Sequence, residues 1–133
     1  MQRKAVPDMG LMSVGGGVKT QSCLFGSFST NNSWYYTNMP DGKYFSKLNN
    51  NEIECLQKCR VRIKGLLGAY PEKNSVGVQL NGENMESFGY TGGAKYKEID
   101  FEKDIDVGDV IKQSFYYGNT SGDLAIAVSI DVI

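Results

Sequence analysis

The sequence contains no histidine, and its 133 residues include only three cysteines, three prolines and one tryptophan. Without histidine the chain has no Ser-His-Asp or Cys-His catalytic centre, no histidine-ligated zinc and no histidine pH switch. The charges nearly cancel, with 14 Lys and Arg against 15 Asp and Glu, so the uniform basic footprint of a nucleic-acid-binding protein is missing. No nucleophile has a visible base. We therefore predict no catalytic residues, no cofactor and no nucleic-acid partner.

The three cysteines, Cys23, Cys55 and Cys59, are an odd number, whereas a small secreted disulfide framework normally has an even one. Cys55 and Cys59 are separated by three residues, which is not the Cys-x-x-Cys spacing of redox motifs, and there is no second cluster to complete a zinc site. We expect thiols that pack as small buried apolar side chains, and no metal site.

Residues 1–21 differ from the rest of the chain, since they are rich in Met, Gly and Val and include the triple glycine of residues 15–17. Three successive glycines disfavour a helix because of their backbone entropy, so the segment is predicted to be a short extended arm. It is either a frayed terminus or an arm that docks on a partner. No apolar run follows its basic residues and no membrane-spanning stretch follows later, so neither a signal peptide nor a membrane partner is predicted.

Residues 22–133 alternate apolar and polar side chains with a period of two, which is typical of half-buried strands. In the segment 124–132 every even position is a branched aliphatic residue, so one face of this strand is predicted to lie on the core. Val76, Val78 and Leu80 lead into Asn81-Gly82, the strongest short signal for a β-hairpin. Several such strands separated by turns predict an all-β antiparallel sandwich or barrel.

The segment 98–106 contains one irregularity in this alternation. Ile99, Phe101 and Ile105 share an apolar face that Lys103 interrupts. We therefore expect a bend or the end of a strand at Lys103.

The second half of the chain carries an ordered set of strand and turn motifs. In chain order they are CRVRIKG (59–65), VGVQLNGE (76–83), IDVGDVI (105–111), SFYYG (114–118) and the final aliphatic strand. This order resembles the complement C-one-q and tumour-necrosis-factor-like jelly roll, over residues 22–133. The resemblance implies a ten-strand antiparallel β-sandwich, a homotrimer, and binding rather than catalysis.

Two stripes of opposite charge have the same period of two, and each places its charges on one face of a strand. The basic stripe consists of Lys58, Arg60, Arg62 and Lys64, and the acidic stripe consists of Glu98, Asp100, Glu102, Asp104 and Asp106. The stripes either pair across a sheet or between subunits, or form two separately solvated faces, or the basic stripe binds an anion.

Some outward positions of the strands carry small or uncharged residues where a solvent-facing strand normally carries charges. These candidates for an oligomer interface are Ala125, Ala127, Ser129, Gly77 and Gln79. Aromatic side chains provide candidate contacts to a glycan or a receptor: Trp34, Tyr90, Tyr116 and Tyr117. Because neighbours in a strand point to opposite faces, one of Tyr116 and Tyr117 is expected in the core.

The leading hypothesis is a non-enzymatic virion structural protein of a bacteriophage, made in the host cytoplasm and located on the capsid, a fibre or the baseplate. The jelly-roll domain of residues 22–133 would form the oligomer, and the arm of residues 1–21 would dock on other virion proteins. The chain differs from extracellular members of the family because no signal peptide or collagenous stalk is recognised. The alternative hypothesis is an adhesion module that binds a carbohydrate or a host receptor.

Overall fold

A computed structural model describes residues 22–30, 33–36 and 42–133. Within these residues the chain forms ten β-strands and no helix. In chain order the strands are β1 (Ser22–Thr30), β2 (Ser33–Tyr36), β3 (Phe45–Lys47), β4 (Glu52–Cys55), β5 (Cys59–Tyr70), β6 (Asn74–Leu80), β7 (Glu83–Gly89), β8 (Tyr96–Ile105), β9 (Val110–Tyr117) and β10 (Asp123–Val132).

The strands form two five-stranded antiparallel sheets. Sheet A has the order β2-β1-β10-β5-β8, and sheet B has the order β3-β4-β9-β6-β7. From β4 onward the chain passes repeatedly between the sheets, so strands that are distant in sequence become neighbours. The predicted all-β antiparallel sandwich of the jelly-roll type is confirmed. The arm of residues 1–21 lies outside the described residues.

The apolar core lies between the sheets and includes one full face of β10. Leu124, Ile126, Val128, Ile130 and Val132 are all buried, with exposed fractions of 1% or less. Strand β10 pairs with β1 on one side and β5 on the other, so it lies in the middle of sheet A. Its period-two pattern therefore predicts its burial correctly.

The predicted hairpin joins β6 to β7 through Asn81 and Gly82. Both residues have positive φ, 52° and 87°, as a two-residue hairpin turn requires. Asn81 also holds the start of β9, because its Oδ1 accepts the Val110 amide at 2.9 Å and its Nδ2 donates to Asp109 Oδ1 at 3.0 Å. One side chain thus joins this hairpin to the turn that precedes β9.

The expectation of a bend or strand end at Lys103 is wrong. Strand β8 continues to Ile105, and Lys103 pairs in register with Val61 of β5. Strand β8 is at the edge of sheet A, where a lysine on the inward side can extend past the sheet to water. Lys103 is accordingly exposed, and an inward charge at an edge also disfavours pairing with a foreign strand.

Candidate functional site: the outer faces of the two sheets

The outer face of sheet A has an apolar half made by three neighbouring strands. We call it the apolar patch, and its members are Leu66, Gly68, Tyr70, Tyr96, Ala125 and Ala127. The strand register brings them together, because Gly68 lies between Ala125 and Tyr96, and Leu66 lies between Ala127 and the exposed Glu98 of the acidic stripe. Leu66 is 41% exposed and Tyr96 is 61% exposed. The patch therefore presents a large aliphatic and an aromatic side chain to the surroundings.

Tyr96 is held by the absence of a side chain at Gly68. A Cβ at position 68 would lie 2.8 Å from Cδ1 and Cε1 of the Tyr96 ring, so the ring occupies the space above the glycine backbone. Such covering of a strand glycine by an aromatic neighbour stabilises a sheet. It also fixes an exposed ring in one position, which lowers the entropy that the ring loses on binding.

Tyr70 and Tyr90 form an aromatic pair at the end of the apolar patch. Their ring centroids are 4.9 Å apart with an interplanar angle of 75°, an edge-to-face contact. The Lys95 ammonium lies 4.2 Å from the centroid of the Tyr70 ring. Tyr90, predicted as a ligand contact on an exposed loop, is thus half-buried and positions Tyr70.

The two charged stripes face each other across strands β5 and β8 in the same sheet. Arg60 donates from Nε to Glu102 at 3.0 Å and from Nη1 to Asp104 at 2.8 Å. Arg62 forms a two-point contact with Asp100, at 2.8 and 2.7 Å. We call this set of ion pairs the charge ladder. It occupies the half of the face adjacent to the apolar patch, so the stripes pair within the sheet.

These pairs favour the charged forms of their members. The hydrogen bond from Arg62 lowers the pKa of Asp100 below its ordinary value, and the same contact raises the pKa of Arg62. Asp104 and Glu102 together raise the pKa of Arg60. Both arginines of the basic stripe are already bound to carboxylates, so the structure gives no support to an anion site on this stripe. Lys58 lies 3.5 Å from Asp106, and the charge of Lys64 lowers the pKa of Asp100 further.

The five candidate interface residues lie on opposite sides of the sandwich. Ala125, Ala127 and Ser129 are on the outer face of sheet A, beside the apolar patch and the charge ladder. Gly77 and Gln79 are on the outer face of sheet B, because Val76 and Val78 face the core. The structure therefore does not combine the five residues into one surface.

The adjacent tyrosines of β9 have different environments, as strand geometry requires. Tyr116 is 62% exposed on the outer face of sheet B. Tyr117 packs against the core, and its hydroxyl donates to Ser29 Oγ at 2.8 Å. Of these two predicted ligand contacts, the structure leaves only Tyr116 at the surface. Trp34 belongs to β2 and its backbone pairs with Ser29, but its side chain lies outside what the structure describes.

Cys55 and Cys59 are thiols. Burial raises the pKa of the Cys55 thiol, whose Sγ donates to the Gln57 carbonyl at 2.9 Å. Within residues 22–30, 33–36 and 42–133 no three Cys, Asp or Glu side chains converge as metal ligands do. Cys23 is part of β1, and its side chain is not among those described. The described part of the chain also contains no helix long and apolar enough to span a membrane.

The three largest members of the apolar patch were not predicted from the sequence; they are Leu66, Tyr70 and Tyr96. A partial signal is visible along β5, where the outward positions change from Arg60, Arg62 and Lys64 to Leu66 and Tyr70. A solvent-facing strand has no reason to lose its charges halfway along. Tyr96 had no such signal, because only the pairing of β5 with β8 places it beside Gly68.

No family model matches the sequence, and no curated protein matches it either. Solved structures do resemble it. GITRL from rabbit superposes with a TM-score of 0.57 at 16% identity, over 81% of this chain and 93% of that chain. GITRL from pika gives 0.56 at 13% identity, over 84% and 96%, and GITRL from bushbaby gives 0.55 at 15%, over 85% and 95%.

These similarities, together with the two antiparallel sheets, define the fold as a tumour-necrosis-factor-like jelly roll. At such low identity they define the fold alone. The resemblance stated from the sequence is confirmed at this level, and its bacteriophage part has no support from the comparisons.

Proposed function

We propose that this protein is a non-enzymatic binding domain that assembles as a homotrimer through the outer face of sheet A. The observation that carries the proposal is the apolar patch, in which Leu66 and Tyr96 are exposed beside the small residues Ala125 and Ala127. Small residues allow another chain to approach the sheet closely, and large apolar side chains then gain most from being covered. The partner that this surface fits is a second copy of the chain.

The charge ladder lies beside the apolar patch as the polar rim of a protein interface lies beside its apolar core. Interface cores are depleted in charge, and their rims are polar and partly hydrated. Here the charges begin with Glu98, at the end of the row of Ala127 and Leu66, and continue in the next row, which is Ser129, Lys64 and Asp100. A border of fixed charges on one side of the contact disfavours alternative registers between copies.

The proposal of three copies is supported by the fold. The sequence resemblance implies a trimer, and the jelly-roll structure supports the same assembly. A ring of three copies uses one heterologous contact repeated around an axis, which closes without leaving a free contact surface. In such a ring the outer face of sheet B remains available for a further partner.

The test compares matched variants on the two outer faces. Ala127→Arg and Leu66→Glu introduce charges into the apolar patch and are expected to convert the trimer to monomer while the circular dichroism spectrum stays that of a β-sandwich. Tyr116→Ser removes an exposed aromatic group from the other sheet and is the control, expected to remain trimeric. Loss of the trimer in Tyr116→Ser, or its retention in both patch variants, contradicts the proposed interface.

We propose a bacteriophage virion as the setting of this assembly, with the arm of residues 1–21 docking on other virion proteins. The support is the sequence argument, and the arm lies outside the described residues. Deletion of residues 1–20 is expected to abolish incorporation into particles and to leave the sandwich folded. Normal incorporation of the truncated chain contradicts this role of the arm.

The second candidate function is binding of a carbohydrate or a receptor. The specific observation that favours it is the outer surface of β9, β6 and β7 around the exposed Tyr116, which carries few charges. It is compatible with assembly through sheet A, because the two faces point in opposite directions.

A further inference from the structure

Nine outward-facing residues of β9, β6 and β7 form three rows on the outer face of sheet B. The strand registers define these rows as Tyr116–Ser75–Gly89, Ser114–Gly77–Ser87 and Lys112–Gln79–Asn84. We call this surface the neutral face. Only one of its nine residues, Lys112, is charged. Successive rows are two residues apart along the strands, so the face extends over roughly 13 Å.

The neutral face contrasts with the outer face of sheet A, where the charge ladder concentrates acidic and basic side chains. A sheet surface that faces only solvent normally carries charged side chains, because they favour solubility. Hydroxyl and carboxamide groups in place of charges suit a ligand that is itself uncharged and rich in hydrogen-bonding groups.

Tyr116 provides a fixed aromatic surface at one end of the neutral face. Its side chain is 62% exposed, yet its ring packs against Gly118, where a Cβ would lie 2.9 Å from ring atom Cε2. Gly118 is itself fixed, since its amide donates to the Lys73 carbonyl at 3.1 Å. The ring is therefore held in position while one side of it remains accessible, which suits stacking against the C–H face of a sugar.

The centre of the neutral face contains Gly77 between two serines, and Gly77 is buried. A Cβ at Gly77 would lie 2.9 Å from Asn84 Oδ1, so the Asn84 side chain leans over the glycine. Asn84 Oδ1 accepts a hydrogen bond from Gln79 Nε2 at 3.2 Å. This bond uses neither the Gln79 carbonyl nor the Asn84 amino group, and so a donor and an acceptor remain for a ligand at this end.

From these features we infer that the neutral face is a binding site for a neutral oligosaccharide. One sugar ring stacks on Tyr116, the oligosaccharide runs from there along the face, and its hydroxyls bond Ser75, Ser87 and Ser114. The Gln79–Asn84 pair binds the far end. This inference rests on the second candidate function, for which it specifies the class of ligand and the residues that bind it. It does not depend on the trimer.

The experiment uses the full chain and a panel of neutral hexose, N-acetylhexosamine and deoxyhexose oligosaccharides, with sulfated and sialylated glycans included. The expected result is binding to at least one neutral oligosaccharide. Tyr116→Ala then weakens that binding at least about tenfold, and Gly77→Val, which displaces the Asn84 side chain from above position 77, also weakens it. Val107→Ser, at a similarly exposed apolar residue in the turn between β8 and β9, leaves it unchanged.

Amide NMR shifts provide a second reading that does not depend on any variant. Titration with the bound oligosaccharide is expected to move the signals of Ser75, Ser87 and Ser114 and not those of Ala125 and Ala127. Absence of binding across the neutral panel, binding of charged glycans alone, or binding that Tyr116→Ala does not affect would each overturn the proposal. The solution mass of Tyr116→Ala shows whether this variant still assembles, so that a loss of glycan binding is not confused with a loss of the trimer.

Discussion

Arg62 of β5 and Asp100 of β8 are joined by two hydrogen bonds, although they are not direct partners in the strand register. Arg62 pairs with Glu102, and its guanidinium reaches diagonally to Asp100, with Nε–Oδ1 and Nη2–Oδ2 distances of 2.8 and 2.7 Å. Arg60 likewise contacts the diagonal Glu102 as well as its direct partner Asp104. The diagonal contacts link successive pairs, so the charge ladder acts as one network along the two strands.

Reversing one charge of this network is expected to lower the melting temperature. In Arg62→Asp a carboxylate faces both Asp100 and Glu102, and like charges across strands destabilise a sheet. Adding Asp100→Arg to the same chain restores part of the loss, which thermal unfolding of the two single variants and the double variant measures. The differences shrink at high salt because these exposed charges are screened. Additive single effects with no restoration would contradict a direct pair.

Asp109 gives a pH dependence whose sign follows from its contacts. The hydrogen bond from Asn81 and that from the Asp106 amide, at 3.0 and 2.9 Å, lower the pKa of Asp109 below its ordinary value. Its ionised form is therefore favoured by folding, and this contribution is present above about pH 4 and lost as the pH falls through the lowered value.

The variant Asp109→Asn removes this contribution at every pH. We expect it to be less stable than the parent chain at neutral pH, with the difference between the two narrowing as the pH falls below about 4. Urea unfolding at a series of pH values measures this difference. If the difference in free energy of unfolding between the two chains is constant from neutral pH to about pH 3, the Asp109 carboxylate does not make the pH-dependent contribution.

Gln113 is a fully buried polar residue that ties the two sheets together. Its Oε1 accepts a hydrogen bond from Ser27 Oγ of sheet A at 3.0 Å, and its Nε2 donates to the Asn50 carbonyl at 3.4 Å. Gln113→Ala is expected to lower the free energy of unfolding by about 2–4 kcal/mol, because it leaves a cavity and unpaired polar groups. The control Ser114→Ala, on the outer side of the same strand, should change it by less than about 0.5 kcal/mol. Equal effects would exclude the inter-sheet role.

The parts of the fold that depend on local chemistry could be predicted from the sequence. The alternation of β10 requires one buried face, and Asn81-Gly82 permits the positive φ angles of a tight turn. In β9, Gln113 is a polar residue at an inward position between Ile111 and Phe115, so it interrupts the apolar face of that strand. A polar side chain is stable there because it bonds Ser27, which is 86 residues away in the sequence, and no local pattern can show such a partner.

The candidate surfaces depend on strand pairing, and this explains what the sequence did not predict. Gly68 and Tyr96 become neighbours only because β5 pairs with β8, and the neutral face exists only in the register of β9, β6 and β7. Small outward residues were visible in the sequence. Without the topology, however, Gly77 could not be separated from Ala127, which lies on the opposite side of the sandwich.

The most direct test of the central claim, assembly through the apolar patch, is the solution mass of the full chain by light scattering coupled to size-exclusion chromatography. The measurement is made for the parent chain over a range of concentrations and for the variant Leu66→Glu. We expect three times the monomer mass of 14.7 kDa for the parent and the monomer mass for the variant. A parent chain that is monomeric at every concentration, or a trimer that Leu66→Glu leaves intact, would contradict it.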